Sequence, residues 1–261
     1  MSTIDSELKK VNQIISDSIP NTILSGDLKN FVCQKSKLIR ARLSLLYLKS
    51  RQANINENVF KILAAGEIIH NASLLHDDII DEASTRRGKS TIGALYNPKL
   101  AILSGDYLLS IAVELLESNS SEILQRFKDA IKQMCEAEFK QYFLRSKMPT
   151  IEEYISICRG KTAALFSAIL QSCAIALDLE TETTTEFAEN FGVLFQLCND
   201  LDKVSANNDK KNNVNTVIDI IGIEKAKILL DNYKHKLLSL IKDIENNEYK
   251  EELEVLIKEL C

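Results

Sequence analysis

Ser73-Leu-Leu-His76-Asp77-Asp78-Ile-Ile-Asp81-Glu82 is the segment on which the interpretation of this sequence rests. Four carboxylates lie within six residues, and Asp77 and Asp81 share one face of a helix because they are four positions apart. Leucines and isoleucines flank them, which indicates a helix that is largely buried where it carries this charge. Buried like charges are costly unless a cation compensates them. Oxygen ligands without a nearby Cys or His pair favour Mg²⁺, which bridges carboxylates to substrate phosphates.

Two arginines follow the acidic cluster closely, at positions 86 and 87. The planar guanidinium group presents paired donors that match phosphate oxygens. The acidic cluster with Arg86 and Arg87 therefore predicts a site for a metal ion and phosphate oxygens. The alternative is a solvated acidic helix end followed by a basic loop.

The composition is ordinary for a globular protein, with 261 residues of which 45% are hydrophobic and 26% charged. The 8 Gly and 3 Pro are few for a sheet protein, so one large helical domain is expected over residues 1–261. The net charge of -5 argues against a nucleic-acid partner. No apolar run reaches membrane-spanning length and the N-terminus lacks a signal-peptide pattern, so a cytoplasmic protein is expected. Six Cys without CxxC spacing are interpreted as buried thiols in a reducing compartment.

Helical periodicity runs through the whole chain, and no alternating strand pattern competes with it. It predicts helices at about 5–18, 27–49, 56–82, 98–117, 120–146, 150–177, 183–203, 222–245 and 248–260. The polar segments 83–96 and 207–213 are predicted loops, and Pro98 suits the first turn of the helix that follows. The predicted fold is an all-α bundle around a central cavity.

Three further polar residues stand out in the N-terminal half. Lys37 and Arg40 are three apart near the start of an apolar helix, where they could clamp a diphosphate or place their charges in solvent at a helix end. His70 lies two turns before Asp77 on the same face, where it could contact a phosphate or be a hydrogen-bonded core residue. His76 adjoins the cluster but points elsewhere, and no role is assigned to it.

The C-terminal half carries two further polar sets. Lys161 and Thr162 enter a helix of small apolar residues, where the lysine needs a counter-anion, although a plain helix-end lysine is equally consistent. Glu138 and Gln141 share a helix face and could orient Lys161 or a metal-bound water. The second set is Phe195-Gln196-Leu-Cys-Asn199-Asp200-Leu-Asp202-Lys203, in which Gln196 and Asp200 share a face. A second carboxylate helix opposite the first would hold metal ions between them.

Together these segments resemble the trans-polyprenyl diphosphate synthase family, the head-to-tail isoprenoid chain-elongating enzymes. Asp77-Asp78-Ile-Ile-Asp81 followed by Arg86-Arg87-Gly88 resembles the first aspartate-rich motif of that family. Lys37-Leu-Ile-Arg40 is similar to the Lys-x-x-Arg of its Gly-Gly-Lys-Arg-x-Arg-Pro motif, although Lys35-Ser36 replaces the glycines and Ala41 the proline. The resemblance spans about residues 30 to 203, and the other segments in family order are His70, Gly105-Asp106, Lys161-Thr162 and Phe195-Gln196.

The resemblance implies an isoprenoid synthase fold and a Mg²⁺-dependent prenyltransferase that adds isopentenyl diphosphate to an allylic prenyl diphosphate, usually as a homodimer. It implies that Asp77, Asp81 and Asp200 bind the metal, with Asp78 in the same catalytic cluster. It implies that the allylic diphosphate is bound by Arg86, Lys161, Thr162 and Gln196, and isopentenyl diphosphate by Lys37, Arg40, His70 and Arg87.

Product length follows from the helix that carries the first motif. Ala72 and Ser73 lie five and four positions before Asp77, one turn deeper, where the growing tail must pass. Both are small and the motif has no insertion, so the resemblance implies a long-chain product. Tyr107 and Leu108 of a neighbouring helix are candidates for a plug that would shorten it.

The second aspartate-rich motif departs from the family pattern Asp-Asp-x-x-Asp, because Asn199 and Lys203 replace two of its carboxylates. The usual following lysine has no clear match beyond Lys210 and Lys211. One alternative is therefore a weakly active or inactive subunit of a heteromeric synthase. A class I terpene cyclase is less consistent, since Lys203 and Asn207 occupy its Ser and Glu positions. A non-enzymatic helical interaction protein is the alternative from a different class.

Overall fold

A computed structural model describes residues 3–21, 24–33, 38–86, 88–145, 147–205 and 214–261. Several residues of the sequence interpretation therefore lie outside the described part, namely Lys37, Arg87, Lys210, Lys211 and the polar loop 207–213. Contacts within the chain divide it into two compact units, Met1–Leu45 with Ile55–Leu124 and Leu46–Asn54 with Gln125–Cys261.

The first unit contains helices α1 to α6 and one short hairpin. Their bounds are α1 Thr3–Ser18, α2 Ser25–Cys33, α3 Ile39–Ser50, α4 Glu57–Ile80, β1 Thr85–Arg86, β2 Lys89–Ser90, α5 Ile92–Leu95 and α6 Pro98–Leu116. Helix α3 continues past Leu45 into the second unit. The two strands pair antiparallel, with Thr85 opposite Ser90.

Helix α4 is the core of the first unit. It begins where the Asn56 side chain accepts a hydrogen bond from the Val59 amide at 3.0 Å, which satisfies one of the free amides of the first turn. Its buried side chains surround the helix rather than form one stripe, as expected for a helix covered on all sides. Helices α1 and α6 pack against it. Because α4 is packed against neighbouring helices, the acidic residues at its C-terminal end lie on a firmly held helix.

The second unit is built around α9 and α10. Its elements are α7 Ser121–Leu144, α8 Ile151–Cys158, a π-helical segment Arg159–Ala163, α9 Ala164–Ile175, α10 Glu182–Ser205, α11 Val217–Ile221, α12 Ile223–Leu240 and α13 Glu248–Lys258. A capping box between Thr150 and Glu153 starts α8. Phe166 of α9 packs against Phe191 and Phe195 of α10, with ring centroids 5.4 and 5.6 Å apart.

The all-α prediction is confirmed, and most predicted helices begin and end within a few residues of the observed ones. The single helix predicted for 27–49 is wrong: α2 ends at Cys33 and α3 begins at Ile39, just after Leu38, whose φ is 43°. A left-handed residue of this kind interrupts a helix, and leucine gives no sequence signal for it. The predicted loop 83–96 contains the hairpin and the short helix α5.

The interpretation of the cysteines as buried thiols is confirmed for Cys158 and Cys173 and is wrong for the others. Cys198 of α10 and the last residue, Cys261, form a disulfide with a Cα–Cα distance of 5.2 Å. Among the described cysteines that remain free, Cys158 and Cys173 are buried, Cys33 is half-buried and Cys135 is exposed. The disulfide was missed because its two positions are 63 residues apart and only the packing of the C-terminal helices brings them together.

No helix in the described ranges is long and apolar enough to cross a membrane. The cytoplasmic location and the absence of a nucleic-acid partner stay predictions.

Candidate active site

The acidic cluster lies at the C-terminal end of α4. Asp77 and Asp78 are in its last turn, and the Asp81 amide donates to the Asp77 carbonyl oxygen at 2.9 Å. Asp77 and Asp81 are half-buried, and Asp78 is buried at 2% exposure. The carbonyl end of a helix is its negative pole, so three carboxylates there repel both one another and the helix dipole. This arrangement favours a bound cation.

Asp78 is paired with Arg86 of strand β1. The Arg86 Nε donates to Asp78 Oδ1 at 2.7 Å, and the Arg86 side chain is 29% exposed. Burial raises the pKa of Asp78, Arg86 opposes that rise, and Asp81 adds to it. The second oxygen, Oδ2, is buried and accepts no hydrogen bond from the residues that the structure describes. Asp78 therefore anchors the hairpin that carries Arg86 and keeps one buried acceptor oxygen.

The carboxylates of α4 fit a metal that shares its coordination with a ligand. In the described ranges no three His, Cys, Asp or Glu side chains converge into a complete metal site. Asp77 and Asp81 lie one turn apart and are only half-buried, so both can reach one ion at this helix end. Mg²⁺ typically takes one or two carboxylates together with waters and phosphate oxygens. The donors present thus fit Mg²⁺ that is completed by a diphosphate.

Arg40 and His70 also belong to the first unit. Arg40 lies in the first turn of α3 and is 5% exposed. Burial lowers its pKa to about 10, and the negative charge of Glu67 opposes this fall. His70 is half-buried, one turn beyond Glu67 on α4. Glu67 was missed by the sequence analysis, although a carboxylate in the middle of an apolar helix is a recognisable signal.

The residues expected to set product length lie on α4 and α6. Ala72 is fully buried, whereas Ser73 is half-buried and its hydroxyl donates to the His70 carbonyl oxygen at 2.8 Å. On α6, Leu108 is fully buried and Tyr107 is half-buried. The role of these four positions in setting product length stays a prediction.

His76 packs against α6, away from the Asp77 and Asp81 face. Its Nε2 is 3.3 Å from the Ile102 carbonyl oxygen and 3.5 Å from an Asp106 carboxylate oxygen. A β-carbon on residue 105 would lie 2.2 Å from His76 Nε2, so only glycine allows the ring to sit there. Gly105 and Asp106 thus hold His76 next to the acidic cluster. The sequence analysis named these two residues only because they occur in the order found in the family.

Lys161 lies in the π-helical segment of the second unit. Its ammonium group forms an ion pair with Glu138 of α7, whose side chain is 14% exposed. Gln141 donates to Glu138 at 3.3 Å, so Glu138 connects Gln141 and Lys161. A β-carbon at Gly160 would lie 2.7 Å from the Ala137 β-carbon, which shows how closely α7 approaches. Irregular π-turns of this kind are frequent at functional sites.

A chain of hydrogen bonds joins this segment to α10. The Thr162 hydroxyl donates to Gln196 Oε1 at 3.0 Å, and Gln196 Nε2 donates to Asp200 Oδ1 at 3.0 Å. The Tyr154 hydroxyl donates to Asp200 Oδ2 at 2.7 Å, and the Val217 amide approaches the same oxygen at 3.4 Å. Burial and the neighbouring carboxylate raise the pKa of Tyr154, which keeps it a donor. Tyr154 was not identified from the sequence.

The second motif presents its residues unequally. Asp200 is 4% exposed, Asn199 is half-buried and Asp202 is exposed. The Lys203 side chain lies outside the described part of the structure. Asn199, which is more accessible than Asp200, carries an amide rather than a carboxylate, and this lowers the negative charge at this end of α10.

The helical architecture is that of the isoprenoid synthase fold. Solved structures agree with this fold. A heptaprenyl diphosphate synthase from Staphylococcus aureus matches with a TM-score of 0.89 and 23% identity, over 99% of this chain and 98% of the other. An octaprenyl pyrophosphate synthase from Helicobacter pylori matches with a TM-score of 0.88 and 24% identity, over 100% and 99%.

Sequence comparison defines the family. Residues 21–252 match the polyprenyl synthetase family. A short chain isoprenyl diphosphate synthase from Methanocaldococcus jannaschii is 32% identical over 244 residues, which cover 87% of this chain and 74% of that protein. The chain spans only 46% to 65% of the length of several other curated relatives. The chain belongs to the polyprenyl synthetase family.

Proposed function

We propose that the chain elongates an allylic prenyl diphosphate with isopentenyl diphosphate and releases a trans-polyprenyl diphosphate. The observation that carries this proposal is the crowding of Asp77, Asp78 and Asp81 at the negative pole of α4. Such a group calls for a divalent cation. The names of relatives, which include isoprenyl and octaprenyl diphosphate synthases, support a diphosphate as the other partner of that cation.

Asp77 and Asp81 would hold Mg²⁺, which when bound stabilises the charge that develops on the departing diphosphate. Asp200 is proposed as the third ligand. Its two oxygens already accept from Gln196 and Tyr154, but a carboxylate oxygen has a second lone pair with which it can bind a metal. Asp78 holds Arg86 in place through their ion pair.

The allylic diphosphate would be bound by Arg86, Lys161 and Thr162, whose positive charges and hydroxyl donor complement its oxygens. Glu138 keeps Lys161 ordered before the substrate binds, and Asp78 does the same for Arg86. The Thr162 hydroxyl, which donates to Gln196, would have to rotate to donate to the diphosphate. Because Arg86 and Lys161 are held in place before the substrate arrives, they can stabilise the diphosphate as the carbon–oxygen bond breaks.

Isopentenyl diphosphate would be bound by Arg40 and His70, with Lys37 and Arg87. Its double bond then attacks the allylic carbon as the carbon–oxygen bond breaks. Loss of a proton to the departing diphosphate completes each five-carbon addition. Apolar side chains around the reacting carbons exclude the water that would otherwise trap the cation.

The proposed product is long-chain. Ala72, one turn before Asp77, carries a small side chain that would not obstruct an extended tail as a bulky aromatic would. The names of the relatives cover both outcomes, since the Methanocaldococcus protein is a short chain synthase and a Haemophilus influenzae relative is an octaprenyl diphosphate synthase. The side chain at position 72 is therefore the point at which the proposal can be tested directly.

The proposed assembly is a homodimer. On α6, Ile102, Leu103 and Val113 are 45%, 62% and 58% exposed, and exposed apolar side chains on one helix are typical of an interaction surface. A heteromer is the second candidate, because Asn199 weakens the acidic character of α10. In that case the chain would be a subunit with little activity of its own.

The test is incubation of the purified chain with Mg²⁺, isopentenyl diphosphate and geranyl or farnesyl diphosphate, followed by chain-length analysis. Products longer than the primer support elongation. Turnover only after addition of a second family subunit supports the heteromer, and cyclic hydrocarbons would identify a terpene cyclase instead.

A further inference from the structure

Glu67 is a buried carboxylate in the middle of α4, at 1% exposure. A carboxylate removed from water is destabilising unless hydrogen bonds and an opposite charge compensate it. The residue lies ten positions before Asp77, so it takes no part in the acidic cluster at the helix end. Its compensation must come from groups that pack against the middle of α4.

The first compensating group is the N-terminus of α3. The Ala41 amide, in the first turn of that helix, donates to Glu67 Oε1 at 3.1 Å. First-turn amides have no partner within their own helix, and the helix dipole makes this end positive. Glu67 therefore caps α3 from a neighbouring helix.

The second compensating group is Arg40, the residue next to Ala41. This residue is 5% exposed and adjoins the Ala41 amide that donates to Glu67, so the Glu67 carboxylate opposes the fall in the Arg40 pKa that burial causes. The Glu67 carboxylate thus caps α3 and also compensates the positive charge of Arg40 at the start of that helix. Leu38, immediately before α3, has φ of 43°, so the chain enters the helix through a strained residue that the neighbouring structure must hold.

We propose that Glu67 is a positioning residue for isopentenyl diphosphate: its carboxylate caps α3 and fixes the Arg40 guanidinium that binds this substrate. The inference rests on the proposed function of Arg40. A buried arginine that loses its counter-charge turns toward other acceptors, and the orientation of its donors is lost. In metal sites, removing a residue that orients a ligand side chain costs about 10- to 100-fold in metal affinity or activity, and we expect an effect at the lower end of that range here.

The test is the substitution Glu67→Gln, which keeps an oxygen acceptor for the Ala41 amide and removes the charge. We expect KM for isopentenyl diphosphate to rise by about 10-fold, with KM for the allylic primer changed less than about 2-fold. The matched control is Glu57→Gln, on the same helix, where the carboxylate is 73% exposed and pairs with Lys10 at the surface. It should leave both KM values unchanged.

A double-mutant cycle separates positioning from a purely structural cap. If Glu67 acts through Arg40, Glu67→Gln should add less than about 2-fold to the KM of Arg40→Gln, because the residue it positions is already gone. The inference is overturned if Glu67→Gln leaves KM for isopentenyl diphosphate unchanged, raises both KM values equally, or acts equally in the Arg40→Gln background. A wild-type chain that elongates no primer and binds no isopentenyl diphosphate in calorimetry would instead overturn the proposed function, and this inference with it.

Discussion

Substitution of Gly192 by alanine tests how the π-helical segment is held against α10. A β-carbon on residue 192 would lie 2.3 Å from the Ala163 Cα and 2.6 Å from its β-carbon. The nearest atoms belong to backbone, so no side-chain rotation can relieve the overlap. To reach an ordinary contact of 3.4 Å, the two segments must separate by about 1.1 Å.

The expected cost follows from overpacking, which is about 1–3 kcal/mol, and the backbone contact places it toward the upper end. For a chain of this size that corresponds to a fall in Tm of about 5–10 °C. The same separation stretches the Thr162–Gln196 hydrogen bond, now 3.0 Å, and moves Lys161 relative to α10. We therefore expect Gly192→Ala to lower both Tm and kcat/KM for the allylic primer.

The matched control is Gly26→Ala in α2, where an added β-carbon meets nothing within 4 Å. The same chemical change should there raise stability by about 0.5–1 kcal/mol, because alanine loses less conformational entropy in a helix. Thermal unfolding followed by circular dichroism, with steady-state kinetics on the same samples, gives both readouts. Equal Tm shifts in the two variants, or a Gly192→Ala protein with unchanged Tm, would refute the proposed packing.

Three further changes have expected outcomes. Cys261→Ser should lower the free energy of unfolding by about 4 kcal/mol, because the disulfide closes a loop across 63 residues and so reduces the entropy of the unfolded chain. An unchanged denaturation midpoint under oxidising conditions would contradict the disulfide. Ala72→Phe should shorten the products, since the side chain at 72 is fully buried beneath Asp77; an unaltered product distribution would show that the tail does not pass there. Alkylation at pH 8 should modify the exposed Cys135 faster than the buried Cys158, because burial raises the pKa of Cys158 to about 12. Mass spectrometry of the peptides measures both rates, and faster modification of Cys158 would contradict the prediction.

The helical fold and the acidic cluster could be predicted from the sequence because both depend on local spacing. Apolar periodicity placed α4 and α10 within a few residues of their observed ends. Carboxylates four apart had to share a face, whatever the rest of the chain did. Patterns of this kind are readable because each is contained in one helix.

What the sequence could not give is which groups meet across helices. Glu67 is one residue in a long apolar helix, and its role appears only when the start of α3 packs on it. The role of Tyr154 likewise depends on its hydrogen bond to Asp200, which is 46 positions away in the sequence. Leu38, just before α3, has a left-handed conformation that leucine rarely adopts, so the sequence gives no sign that a helix is interrupted there.

The proposed function requires the carboxylates on one face at the end of α4 to act on a metal-bound diphosphate. Comparison of Asp77→Asn with Glu82→Gln tests this requirement. Both substitutions remove one negative charge at nearly constant size, but Asp77 is half-buried and Glu82 is exposed. We expect Asp77→Asn to lower kcat/KM for elongation by at least about 100-fold, which corresponds to about 2.7 kcal/mol of lost transition-state stabilisation. Glu82→Gln should stay within about 2-fold of the wild type. Equal activities in the two variants, with both folded, would contradict this requirement.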